Sequence, residues 1–153
     1  QLKRQCDAFI RGFADVVPLP WVNMFSPAEL QLVLGGSDAP VDVDDWAAHT
    51  AYSGGYFEEH QVVGWFWAAV RSFDAPHRAM LLKFVTSCSR PPLMGFRWLQ
   101  PTFCVHKATA EEGRLPTSAT CMNLLKLPPY DSAELLRDKL LYAIEAGAGF
   151  ELS

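Results

Sequence analysis

Cys121 follows the small residues Thr117-Ser118-Ala119-Thr120 and precedes a segment bounded by Pro128 and Pro129. Such neighbours leave a thiol accessible, and an accessible thiol that ionises is a nucleophile able to form a covalent intermediate. Backbone N–H groups or the Thr120 hydroxyl could stabilise it. From the residues alone a second reading stays open, in which Cys121 only packs. The other cysteines read differently. Cys6 and Cys88 fall within apolar helical patterns or at their ends, where a thiol acts as a small hydrophobe, and Cys104 alternates with Phe103 and Val105 as a packed strand residue does. No CxxC pair joins the four cysteines, a pattern that fits reduced thiols.

Other chemistries find less support. Cys104 and His106, two residues apart on a strand, would point the same way, but two further ligands are not present at zinc spacing, so neither a metal site nor a cofactor is expected. Gly35-Gly36 and Gly54-Gly55 are not followed by the residues that cradle phosphate and read as hinge and turn glycines. His49, His60, His77 and His106 belong to no motif. The pairs Asp44-Asp45, Glu58-Glu59 and Glu111-Glu112 fall in loops or helix starts, where solvation or the helix dipole accounts for them.

The elements that must position Cys121 come from a chain of 153 residues, half of them apolar, with five Trp and ten Phe. That composition excludes wholesale disorder, and the length suffices for a core. A net charge of −4, with 13 Lys and Arg scattered along the chain, argues against nucleic acid or an acidic membrane as the main partner. No apolar run reaches the ~18 residues of a membrane span, and the start lacks a signal-peptide layout, so a cytoplasmic or nuclear protein is expected.

Apolar spacing predicts helices over about residues 2–17, ended by Pro18 and Pro20, and over 27–34, opened by a Ser26/Glu29 capping box with Pro27 and closed by Gly35. Two such helices are too few for a core, and their partner surface is expected in upstream sequence. Gly35 to Pro40 reads as a hinge. A turn or short helix surrounds Trp46, helices run through Val62–Val70 and, capped by Asp74, through Val85, and a strand covers 102–106. Residues 117–120 read as a loop leading Cys121 into a strand over 121–125. An Asp131/Glu134 pair is expected to cap a last helix with a stripe of Leu135, Leu136, Leu140 and Ile144.

Three stretches resemble the C-terminal catalytic lobe of HECT-type E3 ubiquitin-protein ligases. They are Leu82 to Leu93 (LKFVTSCSRPPL), Arg114 to Pro128 (RLPTSATCMNLLKLP), and Leu140 to Glu145 with the ending Gly149-Phe150-Glu151-Leu152-Ser153. The wording is closest to the ubiquitin-protein ligase 3C branch. The resemblance implies an α+β fold: the end of an N-lobe over 1–36, an inter-lobe hinge over 37–40 with Gly35, Gly36 and Ser37 as its pivot residues, and a C-lobe with a small sheet packed by helices over 41–153.

By that resemblance Cys121 accepts ubiquitin from an E2 enzyme as a thioester and passes it to a substrate lysine. Thr120 and Asn123 match the family pattern and would donate hydrogen bonds to the developing oxyanion. Phe150, fourth from the end, would assist the second step. Where many relatives carry histidine two positions before the cysteine, this chain has Ala119, and the sequence does not assign that job to His106. The implied partners are ubiquitin, an E2 docking on the upstream N-lobe, and protein substrates, including ones at the proteasome. Two rival classes remain: a non-catalytic module that binds ubiquitin or a partner, and a cysteine hydrolase, which would need a histidine poised at the thiol.

Overall fold

Amphipathic spacing produces α1 (Leu2–Val16) in the computed structural model, which describes residues 2–109 and 114–149. Pro18 and Pro20 end that helix, as predicted, but they also start a short α2 (Leu19–Val22), because a proline in the first turn removes an N–H that has no helical acceptor anyway. In α3 (Pro27–Gly35) the capping box is complete: Ser26 Oγ accepts from Glu29 N at 3.3 Å, and Ser26 N donates to Glu29 Oε2 at 2.8 Å. Gly35, expected as the cap, lies inside the helix instead. Gly36 closes it at φ 84° and ψ 179°, a region essentially restricted to glycine.

The chain divides after Gly36 into two units, Gln1–Gly36 and Ser37–Ser153. None of the described side chains of the first unit is buried. The second unit holds the core, and the α+β class read from the sequence describes it. Asp42 caps α4 (Val43–Ala48) by accepting from Asp44 N and Asp45 N, each at 3.0 Å. The following β1 (Ala51–Ser53) is a strand the sequence reading misses. Then come α5 (Gln61–Ser72), α6 (Ala75–Thr86), a 3-10 turn at Phe96–Trp98, β2 (Cys104–Lys107), β3 (Thr117–Ala119), a second 3-10 turn at Thr120–Met122, β4 (Leu124–Leu127) and α7 (Ala133–Gly149).

The sheet order is β1-β2-β4-β3. β1 and β4 both run parallel to β2, with Ala51 and Leu124 opposite Cys104, and β3 pairs antiparallel to β4, with Ala119 opposite Leu124. Val105, Leu125 and Leu127 turn toward the core, where they join Leu136, Leu140 and Ile144 of α7. At the opposite end Trp46 is fully buried, stacked on Phe96 with centroids 5.0 Å apart and also in ring contact with Trp67 and Phe103. Ser132, not Asp131, caps α7, its Oγ accepting from Leu135 N at 3.1 Å. Leu135 faces outward, 40 % exposed, rather than joining the buried stripe. Cys88, expected to pack, is exposed, because α6 ends two residues before it; Cys6 is exposed on α1.

His77 links α6 to α7. Its Nδ1 lies 2.6 Å from Asp74 Oδ1, and its Nε2 lies 3.3 Å from Glu145 Oε1. The bond to Asp74 first, and the one to Glu145 after it, hold the imidazole pKa above 6.5. The folded state therefore favours the charged ring. That stabilisation is full below the unfolded value of 6.5 and is lost as pH rises through the raised folded value. We expect the urea midpoint to fall as pH rises above 6.5, and His77→Gln to flatten the fall. An unchanged pH profile in the variant would show that the link is energetically silent.

Candidate active site

The four residues Thr120 to Asn123 form the loop of the β3–β4 hairpin, closed by the Ala119–Leu124 pair. This corrects the reading of 117–120 as a loop: small residues fill an edge strand here, and the true loop is the segment expected to start the next strand. Loops of this length are commonly built on a tight turn whose last residue is left-handed. Asn123 takes that place at φ 46° and ψ 45°, a conformation asparagine tolerates better than most side chains.

Asn123 is 5 % exposed and held from three sides. Its N–H donates to Thr120 O at 3.3 Å, its carbonyl accepts from Cys104 N at 3.0 Å, and its Nδ2 donates to Pro101 O at 2.7 Å. The carboxamide thus ties the hairpin to the segment before β2. Within this buttressed loop Cys121 is exposed, as are Thr120 and Met122, the last by 57 %. The thiol is accessible while the backbone beneath it is fixed, an arrangement that favours a positioned nucleophile. Before β3, the Tyr130 hydroxyl donates to Arg114 O at 2.7 Å and anchors the chain on that side; burial pushes the Tyr130 pKa up to about 12, which keeps the hydroxyl a donor at any ordinary pH.

A groove of about 180 Å³ adjoins the loop, lined by Met80, Lys83, Phe84 and Ser87 on the α6 side, Ile144 and Gly147 on α7, and Thr120. The sequence reading did not find it, because its walls come from segments far apart in the chain. His106 lies on β2, its Nδ1 2.9 Å from Ser53 Oγ, which is also 3.3 Å from Cys104 Sγ. It stands opposite Lys126, two residues along β4 from the strand end at which Cys121 is held. Among the described residues no group of three or more His, Cys, Asp and Glu could hold a metal ion.

The structure therefore brings Thr120, Cys121 and Asn123 together on one loop. Gly35 and Gly36 end the first unit. Ser37 opens the second, fastened there by its N–H to Pro91 O at 2.9 Å, and Arg90 pairs with Asp38 at 3.2 Å. Phe150 lies outside the described residues. No helix among the described residues is long and apolar enough to cross a membrane.

Comparison with known proteins places this chain in a family. The chain is 49 % identical over 158 residues to E3 ubiquitin-protein ligase UPL6 of Arabidopsis thaliana, covering 100 % of the chain and 15 % of that protein. It is 44 % identical over 178 residues to human Ubiquitin-protein ligase E3B, with 100 % and 17 % covered, and 43 % identical over 157 residues to E3 ubiquitin-protein ligase HUL5 of Saccharomyces cerevisiae, again with 100 % and 17 % covered. The chain thus spans 15 % to 17 % of the length of these relatives. The family described as HECT-domain (ubiquitin-transferase) matches residues 1–153, every position from the first helix through the Cys121 loop, and this chain belongs to it.

Proposed function

We propose that this chain is the thiol-bearing end of an E3 ubiquitin transferase and that Cys121 is its ubiquitin acceptor. The observation that carries the reading is an exposed cysteine on a hairpin loop locked by the buried Asn123, in a chain of this family. In the first step the Cys121 thiolate attacks the carbonyl carbon of the thioester joining ubiquitin to an E2. A new C–S bond forms, the old one breaks, and the E2 cysteine departs as thiolate. In the second step a substrate lysine amine attacks the same carbon, an isopeptide bond forms, and Cys121 leaves as thiolate while the amine loses a proton. Exchange of one thioester for another is nearly balanced in energy, so the protein contributes access and placement.

The loop residues divide that work. The hydroxyl of the exposed Thr120, the residue before Cys121, and nearby backbone N–H groups are the donors for the oxyanion. Asn123 acts chiefly by positioning, since its amide already donates to Pro101 O. The small side chains of Thr117 to Ala119 leave room for the extended Gly-Gly end of ubiquitin. Residues 1–36 are the end of the N-lobe and 41–153 the C-lobe. The hinge is the 37–40 segment with Gly35, Gly36 and Ser37; Gly36 leaves α3 with backbone angles essentially restricted to glycine, and Ser37 and Asp38 are held by Pro91 and Arg90. Phe150 assists discharge to lysine. The partners are ubiquitin, an E2 docked upstream and protein substrates, including ones at the proteasome, in the cytoplasm or nucleus.

The test bypasses the E2. The chain is mixed with a small-mercaptan thioester of ubiquitin and run on a non-reducing gel, where an adduct removed by dithiothreitol is expected. A folded protein that yields none would count for a binding module instead, and release of free ubiquitin without added amine would count for a hydrolase.

A further inference from the structure

The Asn123 side chain has two polar atoms, and the fold uses one of them. Nδ2 donates to Pro101 O at 2.7 Å. Because a carbonyl can only accept, this bond fixes which way round the carboxamide lies, and the other atom, Oδ1, is an acceptor. No donor among the described residues reaches Oδ1. It is not sealed in either. Among the described residues the buried side-chain N and O atoms without a partner are Trp46 Nε1 and the Tyr56 hydroxyl, so Oδ1 opens to solvent although Asn123 as a whole is only 5 % exposed.

That polarity bears on the chemistry. The sequence reading expects Asn123 to donate to an oxyanion, whereas the atom left open is an acceptor, which an oxyanion repels. An attacking amine does not repel it: a neutral lysine amine carries N–H bonds besides the lone pair with which it attacks, and one of them can be donated to Oδ1. Placement favours the same step. Asn123 closes the loop with its N–H on Thr120 O at 3.3 Å and its carbonyl on Cys104 N at 3.0 Å. Only one residue separates it from Cys121, so the two Cα atoms lie at most about 7 Å apart. A nucleophile poised roughly 3–3.5 Å from the carbon of a thioester on Cys121 brings its N–H bonds within reach of a side chain so placed, and a carboxamide already anchored on Pro101 O receives one without reorganising.

We propose that Asn123 Oδ1 accepts an N–H of the attacking lysine amine and so aims the amine lone pair at the thioester carbon. The inference rests on the reading of Cys121 as the ubiquitin-bearing thiol, and it makes Asn123 a residue of the second step. Nothing is transferred to Asn123. The C–N bond forms, the C–S bond breaks, Cys121 leaves as thiolate, and the surplus proton of the amine goes to water.

The experiment loads Cys121 from the small-mercaptan thioester of ubiquitin, removes the excess, and follows discharge to free lysine and, separately, to a small mercaptan, which attacks as thiolate and brings no N–H. Both nucleophiles meet the same carbon on the same loop, so a loop that is merely loosened slows the two alike, and the ratio of their rates isolates the amine contact. Asn123→Gly keeps the left-handed backbone and removes Oδ1. It should lower the lysine-to-mercaptan ratio about tenfold, the effect of one hydrogen bond made in the transition state. Asn123→Asp returns an acceptor oxygen to the position and should restore most of the ratio. An unchanged ratio in the glycine variant would overturn the proposal and leave Asn123 a purely structural residue; so would an aspartate variant, shown by a thermal melt to be folded, whose ratio matches that of the glycine variant. Wild-type protein that never loads is a separate outcome, which removes the transfer reading and this inference with it.

Discussion

Cys121→Ala is expected to abolish the reducible ubiquitin adduct completely while leaving the fold intact. The side chain is exposed in the loop, so its truncation removes little buried contact, and stability should change by less than about 0.5 kcal/mol. Chemistry should change entirely, because alanine carries no nucleophile. Cys121→Ser is the sharper variant. A hydroxyl is far less ionised than a thiol at neutral pH, so loading should slow by orders of magnitude, and any adduct formed would be an ester that resists dithiothreitol but yields to hydroxide. Mass spectrometry of the intact adduct and a thermal melt of each variant make the comparison. If the alanine variant still formed a reducible adduct, another cysteine would be the acceptor, and Cys88 and Cys6, both exposed, would be the next to replace.

Trp46→Ala should have the largest effect on stability. Trp46 is fully buried and joins four parts of the second unit: α4 that carries it, Trp67 of α5 at 5.9 Å, Phe96 of the 3-10 turn at 5.0 Å and Phe103 before β2 at 5.2 Å. Its Nε1 has no hydrogen-bond partner among the described residues, so truncation forfeits packing and no polar contact. A loss of about 3–5 kcal/mol is expected. Against a total of roughly 5–15 kcal/mol for an ordinary domain, that leaves the variant marginal. Trp46→Phe keeps the stack on Phe96 and should lose much less. Urea denaturation followed by circular dichroism measures both, and a loss below about 1 kcal/mol for the alanine variant would show that the aromatic cluster closes up around the gap.

Much of this architecture was legible before any coordinates because the signals are local. The Ser26/Glu29 box, the Asp74 cap and the Gly54-Gly55 break each depend on residues within one turn of one another. What escaped depends on distant partners. β1 has three residues, too few to display alternation, and it exists because Ala51 N finds Phe103 O at 2.8 Å across the sheet. Thr117 to Ala119 have the composition of a loop and become a strand only because β4 is there to pair with them. Ser132 displaced Asp131 as the cap of α7 by a shift of one residue, the error to which boundary reading is most exposed.

The site was legible in the same uneven way. Exposure of Cys121 follows from the small residues around it. The role of Asn123 does not, since the sequence shows an amide that could donate to an oxyanion but not that Pro101 already receives it. An asparagine at the end of a short segment between two strands is nonetheless a sign of left-handed backbone, and it marks where the loop closes.

The three bonds on Asn123 also set the tempo at which the site can deform. Amide hydrogens at a loop tip ordinarily exchange with solvent through local fraying. Here Cys104 N donates to Asn123 O, so the ladder between the two central strands begins at the foot of the loop. Freeing the loop means opening the middle of the sheet, a cooperative event that belongs to the slow, high-energy end of the protein's fluctuations. Cys121 thus rides on one of the least excitable parts of the chain, and its geometry is inherited intact by every conformation in which the sheet survives.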